Sequence, residues 1–300
     1  MLSIEEIKSY LPKNKLDILK TYKHINKKFL TNKIGTTKVT RKNKNEDIVS
    51  MCVAAYKKLK KIKKKKIKLL LLCTQNPEGN GLPHNSALIH NKIGLESNIA
   101  TMDISQGCAG YVYSLKVCEN FLSNNDMALI FTCDPYSKII SKGDYNTDIL
   151  FGDAATVSIV KMKKKGTLIK DYSFFSNTSN HNAINNFNGK LHMNGRSVMK
   201  FAEKYVVKEI LNLLKKNQLK IDDVEKFYLH QGSRHIVKTI TKSLKLNEKR
   251  VPMLIKNIGN TISSSIPIVL EKNNYQKNKN SILCGFGVGL SIATCLIKKI

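Results

Sequence analysis

The sequence predicts an α/β fold made of two similar halves, and three observations carry that prediction. Apolar runs of strand length alternate with longer runs of helical spacing, the pattern of strands covered by helices. The order strand, turn, helix, strand, turn, helix, strand occurs twice. Corresponding pieces are offset by a nearly constant interval: Leu72 and Leu229 lie 157 residues apart, Cys108 and Asn260 lie 152 apart. A steady offset between diverged residues points to internal duplication. The halves are placed at residues 1–160 and 161–300. No composition break separates them, so one compact body is expected.

In the first half, residues 67–74 read as a strand, 85–93 as an apolar-periodic helix and 98–104 as a second strand. A small-residue turn holding Cys108 follows, then a helix over 111–122 and a strand over 127–133. In the second half, 226–230 is a strand, 234–244 a helix and 251–256 a strand. The Gly259-Asn260 turn comes next, with a helix from near Ser263 and a strand over 281–286. Apolar stripes mark helices at 48–59 and 198–214. Residues 177–188 are an Asn-rich polar loop with no period, and 271–280 a polar surface connection. The lysine run 57–66 is interrupted by apolar residues and leads into a strand, so it reads as a solvated helix end and turn.

Composition excludes several classes. With 300 residues and 42% hydrophobic content the chain can bury a large core. No run of about 18 apolar residues occurs, so no membrane span is expected, and the start lacks a secretion-signal pattern. Seven cysteines without paired spacing point to free thiols and the cytoplasm. No Cys-x2-Cys or His-x3-His unit offers a zinc site, so no metal is expected. The net charge of +29 raises nucleic-acid binding as a reading. The lysines are spread along the whole chain, however, and Asn and Ile are abundant with them, as biased genome composition produces. An acidic carrier protein would suit this charge as well as nucleic acid, which is not expected as a partner.

Three residues carry the chemistry. Cys108 falls at a helix start, where unpaired N–H groups and the helix dipole favour a thiolate. It would take an acyl group from a thioester as a covalent nucleophile. His230 ends a short apolar strand and Asn260 sits in a turn; a neutral imidazole and an amide are two uncharged donors. Converging on one carbonyl oxygen, they would stabilise the enolate left when a malonyl thioester loses carbon dioxide. A Cys-His-Asn set also serves papain-like proteases, where His takes the thiol proton and Asn orients His. The residues alone do not separate these roles, but the duplicated α/β frame fits the first. In Cys284-Gly285-Phe286-Gly287-Val288-Gly289-Leu290, three alternating glycines let backbone approach a ligand. A backbone N–H there can form an oxyanion hole with that of Cys108. The spacing is wrong for a dinucleotide fingerprint.

With these pieces in place, the chain resembles the 3-oxoacyl-acyl-carrier-protein synthase III family of the thiolase superfamily. The resemblance runs through Ile7-Lys8-Ser9-Tyr10-Leu11-Pro12, Asp103-Ile104-Ser105-Gln106-Gly107-Cys108-Ala109-Gly110 and Phe151-Gly152-Asp153-Ala154-Ala155. It continues in Met193-Asn194-Gly195-Arg196, His230-Gln231, Gly259-Asn260-Thr261 with Ser263-Ser264-Ser265-Ile266-Pro267, and the final glycine loop. It implies a duplicated five-layered αβαβα fold, a homodimer, acyl carrier protein as partner and a place in fatty acid biosynthesis. Cys108 is then acylated by a primer thioester. His230 and Asn260 promote decarboxylation of malonyl-carrier protein, and the N–H groups of Cys108 and Val288 form the oxyanion hole. No tightly bound cofactor is implied; acyl-coenzyme A or acyl-carrier protein enters as substrate.

Departures from the family pattern bear on the substrate. The chain has no Trp. Phe29 stands where family members stack adenine on Trp, Asp144-Tyr145-Asn146-Thr147 offers no Arg, and Lys33 replaces a phosphate-contacting Arg. Carrier protein is thus expected as a source of both substrates. Leu82 falls where a bulkier aromatic closes the acyl pocket across the dimer, which favours a primer longer than acetyl. Ser233 replaces an Asn contact, and Arg196 is a further substrate-binding candidate. Lys200, Arg234, Lys238 and Lys242 are expected near the pocket mouth, facing the acidic carrier. Thiolases place a second catalytic Cys within the glycine loop; Cys284 lies just before it, out of place, so thiolase-type reversible condensation is not the expected reaction. The alternative reaction in this fold is transfer of the acyl group from Cys108 to an amine or hydroxyl without decarboxylation.

Overall fold

The computed structural model describes residues 1–60, 63–141, 143–273 and 276–300. Lys61 and Ile62 of the lysine run, and Asn274 and Tyr275 of the 271–280 connection, lie outside the described residues. Among those described, nine strands form one series. The first half supplies β1 (Leu2–Tyr10), β2 (Ile67–Cys73), β3 (Ala100–Ile104), β4 (Met127–Cys133) and β5 (Ala155–Met162). The second supplies β6 (Thr167–Ser176), β7 (Val224–Leu229), β8 (Asn280–Gly287) and β9 (Ser291–Lys299). Their spatial order is β7-β8-β9-β6-β1-β5-β4-β2-β3.

The duplication is visible in that order. From the centre outward, β1-β5-β4-β2 in one half corresponds to β6-β9-β8-β7 in the other. Each has two antiparallel pairings followed by one parallel pairing. The halves meet where Ser3 and Ile4 of β1 pair with Leu168 and Thr167 of β6. In the first half β3 adds a fifth, parallel strand. Its expected counterpart at 251–256 is not a strand: the segment runs irregularly into a tight turn at Ile255–Asn257. Pro252 has no N–H for a ladder. The Gln231 side chain replaces the pairing, donating to the Leu229 carbonyl at 2.8 Å and accepting from the Leu254 N–H at 3.1 Å.

Helices α1 (Ile48–Tyr56) and α2 (Asn85–Lys92) cover the outer face of the first half; α3 (Gly110–Phe121) and α7 (Ser265–Lys272) lie between the halves. The outer face of the second is covered by α4 (Gly195–Phe201), α5 (Val207–Lys216) and α6 (Arg234–Ser243). The five layers follow from period-two strands that are apolar on both faces. On β2, Leu69 and Leu71 join the central core with Leu115, Ile266 and Leu283, whereas Leu70 and Leu72 join Met51 and Ile89 in the outer core. On β8, Leu283 faces the centre while Ile282, Cys284 and Phe286 face the outer core of α5 and α6.

Two expected elements differ in detail. The helix expected over 198–214 is interrupted by a wider π turn at Ala202–Val206. The extra residue lets Tyr205 stack on Phe175, ring centroids 4.9 Å apart, while Val206 and Ile210 keep the core side. The polar loop 177–188 contains a turn at Thr178–Ala183 and half of a hairpin, Ile184–Phe187 paired with Lys190–Met193. Asn188 and Gly189, with φ of 50° and 74°, turn that hairpin; an Asn-Gly pair is the signal for such a turn.

Candidate active site

Cys108 lies in the turn between β3 and α3 and is 7% exposed. The glycine loop after β8 closes on it. Gly287 has φ of 156°, and a Cβ there would lie 2.7 Å from the Cys108 sulfur, so only glycine allows the approach. The N–H groups of Val288 and of Cys108 itself are both directed at the sulfur and pull its pKa down. These are the two donors assigned to the oxyanion hole. The expected thiolate is nevertheless not the resting state. Burial outweighs the N–H groups and pushes the thiol up to about 12, with the nearby Asp134 carboxylate adding to the effect. A thiolate loses more on leaving water than the helix start returns.

His230 follows β7 and is 2% exposed; its N–H donates to the Cys284 carbonyl at 2.8 Å, which anchors it to β8. Its Nδ1 lies 2.7 Å from the Ser265 hydroxyl at the start of α7. Burial depresses the imidazole to about 3, against an opposing hydrogen bond to the Ile262 backbone, so the ring is neutral. Asn260 is 4% exposed. Its Oδ1 accepts the Ile262 N–H at 3.0 Å, and its Nδ2 faces the Gly232 carbonyl at a long 3.5 Å. The carbonyl side of the amide is thus committed, while the NH2 group spends one N–H on the long Gly232 contact and keeps a second donor for a ligand. Ile262 holds φ of 50°, costly for a β-branched residue, and it reaches both His230 and Asn260.

The Phe151-Gly152-Asp153 motif explains how Asn260 is held. The Asn260 N–H donates to the Leu150 carbonyl at 2.8 Å, and the Gly152 N–H donates to the Asn260 carbonyl at 2.9 Å. Arg41 fixes this loop, donating to the Phe151 carbonyl at 2.6 Å and to the Asp148 carboxylate at 2.6 Å. Asp153 accepts from the Lys42 N–H at 2.8 Å and the Ser137 hydroxyl at 2.6 Å. The first half thereby clamps a catalytic candidate of the second.

One cavity of about 1010 Å³ is lined by Cys108, His230 and Asn260 together. Phe29, Lys33, Arg196, Ser233 and Val288 also line it. Ser233 caps α6, accepting the Ile236 N–H at 3.2 Å. Lys33 Nζ lies 3.5 Å from His235 Nε2 at the exposed mouth. Leu82 does not line the cavity of the single chain and is 86% exposed. Lys200, Arg234, Lys238 and Lys242 lie outside its lining, and Lys238 is paired with Glu248 at 2.9 Å. Cys284 is fully buried in β8 and does not face the cavity. Sequence reasoning missed Tyr136, Asn146 and His235 in the lining. His235 had a signal, standing one residue past Arg234 in the first turn of α6. Tyr136 had none, because a lone Tyr after a strand carries no period. Asp134, fully buried beside the nucleophile turn, was also missed; it accepts from the Gln75 N–H at 2.6 Å and from the Ser263 hydroxyl.

Comparison with known proteins gives the family. Residues 102–178 match the family described as 3-oxoacyl-[acyl-carrier-protein (ACP)] synthase III, and residues 214–299 match its C-terminal part. The first segment holds Cys108; the second holds His230 and Asn260. A beta-ketoacyl-[acyl-carrier-protein] synthase III of Acholeplasma laidlawii is 34% identical over 222 residues, covering 72% of this chain and 71% of that protein. The chain belongs to the 3-oxoacyl-ACP synthase III family. A synthase III of Clostridium novyi is 28% identical, with 99% of this chain and 98% of its own length covered. The crystal structure of the synthase III of Aquifex aeolicus is alike in fold, with a TM-score of 0.92 at 23% identity, covering 99% and 100% of the two chains. Synthase III proteins are condensing enzymes of acyltransferase type, which supports condensation over acyl transfer to an amine or hydroxyl.

Proposed function

We propose that this synthase III-family chain joins an acyl primer to malonyl-acyl carrier protein, with Cys108, His230 and Asn260 in the catalytic roles. The observation that carries the assignment is a buried nucleophile sharing one cavity with two uncharged donors, one of them a histidine held neutral by burial. In the first half-reaction the Cys108 sulfur bonds to the thioester carbonyl carbon while the Val288 and Cys108 N–H groups hold the oxygen. The carrier thiol leaves with the proton that the Cys108 thiol gives up. In the second, the malonyl thioester carbonyl accepts hydrogen bonds from His230 and Asn260. Carbon dioxide departs, and the enolate carbon attacks the acyl carbonyl. The carbon–carbon bond forms as the Cys108 sulfur leaves, giving a 3-oxoacyl thioester, and the released thiolate takes a proton from solvent to restore the resting thiol. No tightly bound cofactor enters this scheme.

Acyl carrier protein is the proposed donor of both acyl groups. Phe29 at the mouth is 44% exposed and lacks an opposing Arg at 144–147, which leaves an adenine ring with half of a sandwich. The pair Lys33 and His235 suits the phosphate of a carrier's pantetheine arm. We also propose a homodimer formed along the β3 edge, where Met102 is 38% exposed beside the Leu82 loop. Among the described residues no helix is long and apolar enough to cross a membrane; work in the cytoplasm and in fatty acid biosynthesis belongs to this proposal.

The test separates the half-reactions. Intact-protein mass spectrometry with acyl-carrier and acyl-coenzyme A thioesters should show a mass gain that Cys108→Ala abolishes. Asn260→Ala should keep the gain but release carbon dioxide from malonyl-carrier protein roughly a hundredfold more slowly, the scale of a lost oxyanion donor. Loss of acylation in Asn260→Ala equal to that in Cys108→Ala would reverse the assignment.

A further inference from the structure

Asn260 takes its place in the cavity from a backbone bridge between the two halves. Its N–H donates to the Leu150 carbonyl at 2.8 Å and its carbonyl accepts the Gly152 N–H at 2.9 Å. The two segments lie too close for side chains between them. A Cβ on Gly152 would collide with the Ile258 carbonyl oxygen, and one on Gly259 would lie 2.9 Å from the Leu150 carbonyl oxygen. A shift of residues 150–152 therefore passes directly to Asn260. Phe151 stands between the two bridging partners, and its carbonyl accepts from Arg41 at 2.6 Å. We propose that Arg41 is a positioning residue for the decarboxylation step, and that it sets where Asn260 stands by fixing the Phe151 carbonyl. The proposal rests on the condensing reading above.

Arg41 follows the short strand Lys38–Thr40, whose last residue already grips both segments. The Thr40 N–H donates to the Ile258 carbonyl at 3.2 Å, and its hydroxyl donates to the Asp153 carbonyl at 2.7 Å. The guanidinium adds a second grip. Besides the Phe151 carbonyl, it donates to the Asp148 carbonyl at 2.8 Å and to the Asp148 carboxylate at 2.6 Å. The other oxygen of that carboxylate accepts the Tyr22 hydroxyl, so the acceptor is itself held. Three acceptors met by one planar fork suit a guanidinium; a lysine ammonium is a single point of attachment. The Arg41 side chain is 13% exposed, so water competes little for these bonds. Arg41 does not line the cavity and reaches the substrate only through the loop it holds. Its partners belong neither to the Cys108 turn nor to the glycine loop. The first half-reaction, which uses that thiol and the N–H groups of Cys108 and Val288, is thus separate from what Arg41 holds.

The experiment follows both half-reactions in wild type, Arg41→Lys and Arg41→Ala, each alone and combined with Asn260→Ala. Cys108 acylation is read by mass spectrometry with acetyl and butyryl thioesters of coenzyme A and of carrier protein. Carbon dioxide release is read with malonyl-carrier protein. Both single variants should keep acylation within about threefold of wild type and release carbon dioxide at least roughly tenfold more slowly, the loss falling on kcat, as a displaced donor requires. In the Asn260→Ala background, Arg41→Lys should cost nothing further, because the group it positions is gone. A purely structural role would lower both half-reactions together and add its full cost to that of Asn260→Ala. Either of those results, or carbon dioxide release unchanged in Arg41→Lys, would overturn the assignment of Arg41 alone. Should Arg41→Ala not fold, Arg41→Lys decides the matter by itself. A wild type acylated by no thioester would overturn the condensing reading and this assignment with it.

Discussion

The proposed nucleophile, Cys108, is a cysteine whose surroundings oppose its charge. With the Cys108 thiol pushed up to about 12 by burial, only a small thiolate fraction exists at neutral pH. Alkylation of Cys108 by iodoacetamide should therefore keep rising about tenfold per pH unit from pH 7 to 10, with Cys108→Ala as the blank. A plateau by pH 9 would show that burial is not in control. His230 and Asp134 also titrate away from their ordinary values, in ways that oppose each other. The folded His230 releases its proton at about 3 and the unfolded residue at 6.5, so its contribution to stability falls as pH drops through that window. Burial raises Asp134 to about 6 from 3.8, so the folded carboxyl holds a proton that the unfolded one has lost. Its contribution is present in acid and disappears as pH climbs to about 6. In urea unfolding between pH 4 and 6, His230→Gln should flatten the rise of stability with pH and Asp134→Asn should steepen it. Changes of the same sign would refute the pair.

At the level of elements, the site depends on loops that approach one another across the duplication. The glycine loop reaches the sulfur only because position 287 lacks a side chain. Gly287→Ala would set a Cβ 2.7 Å from the sulfur in a backbone region that L residues avoid. Acylation of Cys108 should fall by more than roughly tenfold, since displacing a nucleophile by a fraction of an ångström breaks its alignment with the carbonyl. The melting temperature should move only a few degrees, because β8 and β9 pair along their whole lengths. An acylation rate unchanged in Gly287→Ala would remove the loop from the mechanism. The 150–152 loop does the complementary task for Asn260, and Arg41 stiffens it through two carbonyls and a carboxylate.

For the whole molecule, the two halves face each other across α3 and α7, and β3 ends the sheet without a further partner among the described residues. An open edge strand with an exposed Met102 suits the homodimer proposed above. Light scattering should report twice the 33.8 kDa chain mass, and Met102→Lys should shift the population toward monomer. A monomer at every concentration tested would leave the edge without a role. The charge of +29 acts at the same scale: if it serves the proposed acidic carrier, association rates should fall as salt rises, and salt-independent rates would leave it to genome composition.

Local pattern was enough to read most of the frame. The apolar runs of β2, β4, β7 and β8, the small-residue turn at Cys108 and the order of Cys108, His230 and Asn260 are properties of neighbouring residues, so the sequence alone determined the duplicated α/β plan and the three catalytic candidates. It did not determine what happens where distant segments compete for the same partners. Residues 251–256 have the composition of a strand, yet the Gln231 side chain bridges Leu229 and the Leu254 N–H and no ladder forms. The helix start at Cys108 favours a thiolate, yet burial, with Asp134 adding to it, keeps the thiol protonated. Tyr136 joins the cavity lining where Phe151 and Gln75 hold it, neither adjacent to it in the chain. Secondary structure and motif order follow from contacts within a few residues. Ionisation state and cavity shape depend on burial, which exists only once the two halves have closed on each other.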